Sequence, residues 1–235
     1  MTHAGADPQL KVVEFPLASS VQDENRLSPD LVMLSDPEGI QAEAIRQLRT
    51  RLISQHTDLG RHSLTLCSPQ ANSGCSSVAA NLAISFAQIG LNVLIVNADL
   101  RQEGLDSLFG ETGERPGLLQ YLSAADDDAG RLGVYDVAPN LSLVPSGGTA
   151  ANAQELLSGD RFSAFLNNTL RQFDLTIIDT PPTDNFADAQ RVAAMSGYCA
   201  IVARANKTYY ASVGELARQL RNDRVEVVGT ILNQY

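Results

Sequence analysis

Residues 63–77 read SLTLCSPQANSGCSS, an apolar run of five that breaks into a turn-rich loop. Val78, Ala79, Leu82, Ala83 and Phe86 follow at helical spacing. Strand, loop and helix in that order form the setting of a phosphate-binding loop, where backbone N–H groups and the positive end of a helix face an anion. The usual pattern is G-x-x-x-x-G-K-[ST]. Gly74 and Ser76 fit it, whereas Pro69 stands at the first glycine and Cys75 at the lysine. By itself the loop is a weak match.

Working outward, more apolar runs recur: NVLIVN (92–97), LSLVP (141–145), LTIID (175–179), CAIVAR (199–204) and VEVVGTIL (225–232). Helical patterns lie between most of them, as in Leu156, Phe162, Phe165, Leu166 and Leu170, and in Val213, Leu216, Ala217 and Leu220. Near-continuous apolar strands separated by helices predict an α/β fold, a parallel sheet buried between helices on both faces. Two of the strands end in acids at the sheet edge. VLIVNADLR carries Asn97, Asp99 and Arg101, and FDLTIIDTPP carries Asp179 before a Pro181-Pro182 turn. A carboxylate at the end of a buried strand beside a phosphate loop is where Mg²⁺ is held. One such aspartate is ordinary turn chemistry, but the three segments together favour a nucleotide site.

Upstream, Ser35-Asp36-Pro37-Glu38 has the form of a capping box with a proline in the first turn. Ile40, Ala44, Leu48 and Leu52 then predict an apolar helix face. Residues 1–34 lack periodicity and read as a loosely ordered arm, with residues 35–235 as one domain. Residues 102–135 are rich in Gly and Asp and read as an irregular excursion over the carboxyl edge of the sheet, with Asp126 to Asp128 in a solvated loop. Asn152 is expected to cap a helix with Glu155 at its third position.

Charge narrows the partners. Seventeen Lys+Arg against 27 Asp+Glu leave a net charge of −10 in 235 residues. A chain this acidic is a poor ligand for nucleic acid or an anionic membrane surface. No apolar run is long enough to span a bilayer, and MTHAGADPQL does not read as a signal peptide, so the expectation is a cytoplasmic protein that meets membranes through a partner. Cys67, Cys75 and Cys199 form no CxxC pair and, with three scattered histidines, no zinc pattern. Cys67 and Cys199 fall in strand patterns and read as core residues. Cys75 reads as a lysine lost by drift rather than as a reactive thiolate at a helix N-terminus.

The order of these segments resembles the bacterial tyrosine kinase (BY-kinase) family of capsular and exopolysaccharide assembly, P-loop proteins related to the ParA and MinD ATPases. The likeness covers about residues 37–235. It rests on EAIRQLR (43–49), SPQANSGCSS (68–77), NLA (81–83), VLIVNADLR (93–101), GLLQYL (117–122), NAQELL (152–157), FDLTIIDTPP (173–182) and ILN (231–233). The resemblance implies a P-loop domain binding ATP or ADP with Mg²⁺. Ser73, Gly74, Cys75, Ser76 and Ser77 would cradle phosphates, and Asn233 would contact adenine. Ser76, Asp99 and Asp179 would hold the metal. Asn97, Asp99 and Arg101 stand at the family's D-x-D-x-R motif. Glu43, Arg46 and Arg49 match its E-x-x-R-x-x-R motif, which implies a homo-oligomer, and the implied partner is a membrane chain-length or co-polymerase protein.

Three departures qualify the likeness. Cys75 replaces the lysine, Asn97 replaces the first aspartate of D-x-D, and the family's C-terminal tyrosine cluster has no counterpart before Tyr235. A thiol is neutral and an amide accepts no proton, so each loss removes transition-state stabilisation. The expectation is a degenerate, kinase-like regulator or scaffold that binds nucleotide weakly or not at all. The alternatives are an active autophosphorylating tyrosine kinase, with an arginine from Arg46 or Arg49 of a neighbour in place of the lysine, and a ParA/MinD-like ATPase switch.

Overall fold

Eight strands form one sheet in a computed structural model that describes residues 17–18, 27–102, 104–110, 115–124 and 132–234. In chain order they are β1 (Leu17–Ala18), β2 (Ser63–Cys67), β3 (Val93–Asn97), β4 (Val134–Ala138), β5 (Leu141–Val144), β6 (Leu175–Asp179), β7 (Tyr198–Arg204) and β8 (Glu226–Asn233). Their order across the sheet is β1-β4-β5-β3-β6-β2-β7-β8. Every pairing is parallel except the β4–β5 hairpin. The predicted α/β sheet and its six apolar strands are therefore present, with limits moved by a residue or two. β1 and β4 go beyond the expectation. β4 begins at the end of the stretch read as an irregular excursion, and the chain then turns back to pair it with β5.

The inner strands β2, β3 and β6 are buried at every residue. Helices cover both faces, as parallel strands require. On one side α2 (Ile40–Gln55) and α3 (Cys75–Ala87) pack against Leu64, Leu66, Ile95, Ile177 and Val202. On the other, α6 (Ala153–Ser158) and α7 (Asp160–Gln172) cover Leu94, Val96 and Ile178. There α8 (Asp188–Ser196) and α9 (Tyr210–Asn222) cover Cys67, Cys199 and Ile201. Cys67 and Cys199 are core residues, as expected. The shorter α1 (Val32–Ser35), α4 (Leu105–Leu108) and α5 (Leu118–Ser123) belong to connections.

Several boundaries differ from expectation. Ser35 does not open the long helix. It ends α1, its hydroxyl bonds the Pro29 carbonyl, and α2 begins after Gly39. Ile40 is 91% exposed, so the buried face of α2 runs instead through Ala42, Ile45, Leu48 and Leu52. The last residues of the expected arm are packed. Leu31 and Met33 are buried, and Asn81 of α3 accepts from the Met33 N–H and donates to the Asp30 carbonyl. Asn152 occupies the N-cap position of α6 without a side-chain cap bond. Asp126 to Asp128 lie outside the described residues. No helix among the described residues is long and apolar enough to cross a membrane.

Candidate functional site

β2 delivers the chain to the carboxyl edge at the centre of the sheet, the position where ligands bind in folds of this kind. The loop that follows is closed by its own side chains. Ser73 Oγ donates to the Gln70 carbonyl at 2.6 Å and Ser68 Oγ to the same oxygen at 3.2 Å. Asn72 and Gly74 both have left-handed backbones, with φ of 59° and 78°. Gly74 is the N-cap of α3, so no side chain caps the helix, and its first turn holds no acid. First-turn N–H groups have no partner inside a helix. Those of Cys75, Ser76 and Ser77 therefore make the start of α3 a fitting cradle for a phosphate.

Two strands on the far side clamp this loop. Asn233, at the end of β8, donates through Nδ2 to the Ser73 carbonyl at 3.1 Å. Arg204, at the end of β7, donates through Nη1 to the Asn72 carbonyl at 3.1 Å. Asn233, expected at adenine, is thus joined to the phosphate loop itself.

The acids lie across from the loop. Asp179 ends β6, paired with Asn97 of β3 on one side and Leu66 of β2 on the other. It is 1% exposed, and neither carboxylate oxygen has a hydrogen-bond partner of good geometry. Burial pushes its carboxyl up to about 7, and Asp99 adds to the rise. The Ser76 hydroxyl, the Cys75 thiol and the Thr180 N–H offset part of it. Asp99 is also raised, first by burial, although its carboxylate accepts the N–H groups of Arg101 and Gln102 at 2.9 and 3.0 Å. An unsatisfied buried carboxylate beside a serine hydroxyl and a second carboxylate is an all-oxygen donor set, which fits Mg²⁺.

Cys75 is 8% exposed and belongs to the core packing of α3. Burial, and then the charge of Asp179, push its thiol well above its ordinary range. The residue at the lysine position is therefore a neutral buried group, neither a cation nor a thiolate.

Arg101, the arginine of the D-x-D-x-R segment, is held by several contacts within the fold. Its guanidinium bonds both oxygens of buried Asp188 at 2.8 and 3.3 Å and the Ala151 carbonyl at 3.1 Å, and it lies 4.6 Å over the Phe186 ring. It is a strut between the end of β3 and the start of α8. Asn97 is buried, and its amide bridges the Asp99 N–H and the carboxylate of Asp106. Neither Asp188 nor Asp106 stands in a motif that would single it out from sequence.

Glu43, Arg46 and Arg49 lie on α2, outside this site, and do not act as one exposed face. Arg46 pairs with Glu43 at 3.4 Å and bonds the Pro37 carbonyl. Arg49 turns inward, donating to the Ser85 carbonyl at 2.8 Å and to Ser85 Oγ at 3.1 Å. These bonds hold the Arg49 side chain against α3.

No family model matches the chain. Comparison with known proteins gives strong likenesses all the same. The putative tyrosine-protein kinase EpsB of Ralstonia nicotianae is 33% identical over 224 residues, covering 95% of this chain and 29% of that protein. The chain therefore spans less than a third of the length of that relative. The tyrosine-protein kinase CpsD of Streptococcus agalactiae is 31% identical over 171 residues, covering 73% of this chain and 74% of CpsD. Among solved structures, the kinase domain of the Escherichia coli tyrosine kinase ETK superposes with a TM-score of 0.78 at 29% identity, covering 86% of this chain and 79% of that one.

Proposed function

The chain belongs to the bacterial tyrosine kinase family of the P-loop ATPase superfamily, and from that footing we propose that it is a degenerate member, a regulator or scaffold of polysaccharide synthesis or export. It works at the cytoplasmic face of a membrane beside a chain-length or co-polymerase partner, without transferring phosphoryl groups to tyrosine. The observation that carries this reading is Cys75. Phosphoryl transfer depends on positioning and on charge placed against the phosphate oxygens. At the position of the phosphate-binding cation there is a thiol that is buried, protonated and packed into the core.

The remainder of the cradle suits a nucleotide. The start of α3 would take the phosphates. Ser76, Asp179 and Asp99 would hold Mg²⁺, which when bound supplies positive charge to the phosphate oxygens. Buried Asp179 gains a counter-charge in that state, which offsets the cost of keeping it ionised. Asn97 contributes an amide already committed at both ends, so it neither ligates like a carboxylate nor removes a proton from a hydroxyl. The reading is therefore a site that binds ADP or ATP weakly and does not turn it over. Oligomers on this reading use the exposed end of α2, around Ile40, Glu43 and Arg46.

Calorimetric titration with Mg-ATP and Mg-ADP, alongside incubation with labelled ATP, tests the proposal. The expected result is weak binding and no phosphotyrosine. Tight ATP binding with autophosphorylation would identify an active kinase, and phosphate release without phosphotyrosine would identify an ATPase switch.

A further inference from the structure

Position 97 carries an amide where the family pattern has a carboxylate, and the structure places another carboxylate against it. Asn97 Nδ2 donates to Asp106 Oδ1 at 2.9 Å, and Asn97 Oδ1 accepts the Asp99 N–H at 3.0 Å. The other oxygen of Asp106, Oδ2, accepts the Ser146 N–H at 3.0 Å and the Ser146 hydroxyl at 2.8 Å. These partners leave no choice of orientation. A backbone N–H only donates, so the amide must present oxygen to Asp99 and hence nitrogen to Asp106. An aspartate in place of Asn97 could still accept from Asp99 but would turn lone pairs onto Asp106.

Asp106 also lies where its position matters to the phosphate site. Gly104, two residues earlier, runs beside Ser76, where a Cβ built on it would lie in ordinary contact with Ser76 Oγ at 3.6 Å. Through Asn97, Asp106 fixes the turn that presents Asp99. Through its own helix, it fixes the chain that crosses Ser76. Resting on the nucleotide reading above, we infer that Asn97 and Asp106 are a matched donor–acceptor pair, in which Asp106 is a positioning residue for the metal side of the site. Asn97 is then not a simple loss, because an aspartate restored at position 97 alone would face the carboxylate of Asp106.

The test is a four-member cycle: parent, Asn97→Asp, Asp106→Asn, and the exchange Asn97→Asp with Asp106→Asn. In the exchange, the amide introduced at position 106 would donate to the carboxylate introduced at position 97 and accept from Ser146, reversing the pair. Asn97→Asp is expected to lower Tm by about 5–10 °C, because two carboxylates then face each other. The exchange is expected to recover most of that loss. ADP binding is then titrated with Mg²⁺ and with EDTA. Each single variant is expected to lose about tenfold in affinity with Mg²⁺ and little in EDTA, and the exchange to regain it. Single variants that melt like the parent, or an exchange no better than the worse single, would overturn the pairing. If Asn97→Asp does not fold, a folded exchange supports the pairing and an unfolded exchange refutes it. Coupled melting with no effect of Mg²⁺ would make the pair purely structural and refute the positioning role. A parent that binds no ADP removes the nucleotide reading and with it the role at the metal, while the melting cycle still decides the pairing.

Discussion

Gly74 and Asn233 meet across the mouth of the phosphate loop so closely that a Cβ on Gly74 would lie 2.2 Å from Asn233 Nδ2. The contact joins the N-cap of α3 to the last residue of β8, at the far end of the sequence. It also explains why glycine is needed twice over, because φ there is +78°. A left-handed backbone costs a residue with a Cβ about 1 kcal/mol.

Gly74→Ala should therefore lower stability by about 1–2 kcal/mol, or a few degrees in Tm, from strain plus displacement of Asn233 from the Ser73 carbonyl. Asn233→Ala alone removes one hydrogen bond and should cost less. The two losses should not add, because the alanine has already displaced the amide. Thermal melts of the two single variants and the double variant measure this. Strict additivity would mean that the two residues do not compete for one space.

The helices and strands that frame this contact are largely legible in the sequence. Runs such as VLIVN and LTIID contain no surface-facing residue, because each is covered on both faces, and that leaves continuous apolar stretches. The VYDVA strand is hidden for the converse reason. It lies toward the edge of the sheet, Asp136 interrupts its apolar run, and it adjoins a Gly- and Asp-rich segment. The start of α2 is misread from sequence because capping chemistry is local. Ser35 with Glu38 suits a helix start, yet Ser35 bonds backward to Pro29. The site divides the same way. Gly74, Ser76, Asp99 and Asp179 stand at the ends of recognisable elements. Asp106 acts through Ser146, 40 residues on, and Asp188 through Arg101, 87 residues back, distances that no local pattern records.

Asp179 should make the ligand-free protein less stable as pH rises. Its ordinary value is 3.8 and its folded value about 7, so between these the folded state holds a proton that the unfolded state has released. The contribution is neutral below about pH 4, grows steadily more unfavourable between about pH 4 and 7, and is fully unfavourable above that. The interval is worth on the order of 4 kcal/mol, before water or side-chain movement relieves part of it. Asp179→Asn should accordingly raise Tm at pH 8 by about 5–10 °C and at pH 4 by little. It should also abolish any effect of Mg²⁺ on nucleotide affinity. A variant less stable than the parent at pH 8 would show that the carboxylate is satisfied in solution.

Arg46 and Arg49 should separate on mutation, although they share one motif. Arg49 gives two hydrogen bonds to Ser85 on α3, and its loss leaves that carbonyl and hydroxyl without a donor. Arg49→Ala should cost about 1–2 kcal/mol. Arg46 sits on the outer side with an exposed partner, and Arg46→Ala should stay within about 0.5 kcal/mol. If α2 also forms contacts between copies, Arg46→Ala should lower the mass seen in light scattering without moving Tm. Equal effects of the two variants on Tm would mean that both are surface residues.

Cys75→Lys returns a cation to the phosphate loop, and two groups await it. One is the phosphate that the start of α3 is shaped to receive. The other is Asp179, whose carboxylate lies beside the Cys75 thiol with no hydrogen-bond partner of good geometry. In the ligand-free protein the new ammonium should bond Asp179 and draw its carboxyl down from about 7 toward the ordinary range, so the pH dependence of Tm described above should flatten. That gain works against the cost of fitting a longer side chain where a buried thiol packed. With nucleotide present, a charge-assisted contact worth ~1.5–3 kcal/mol should raise affinity for ATP about ten- to a hundredfold. Asn97→Asp added to it should erode the gain while Asp106 remains, since two carboxylates then face each other, and Asp106→Asn as a third change should recover it. Calorimetry on the four proteins with Mg-ATP gives the order directly. Failure of Cys75→Lys to bind better than the parent would mean that the loop, although it keeps Gly74 and Ser76, no longer has the shape to hold a phosphate.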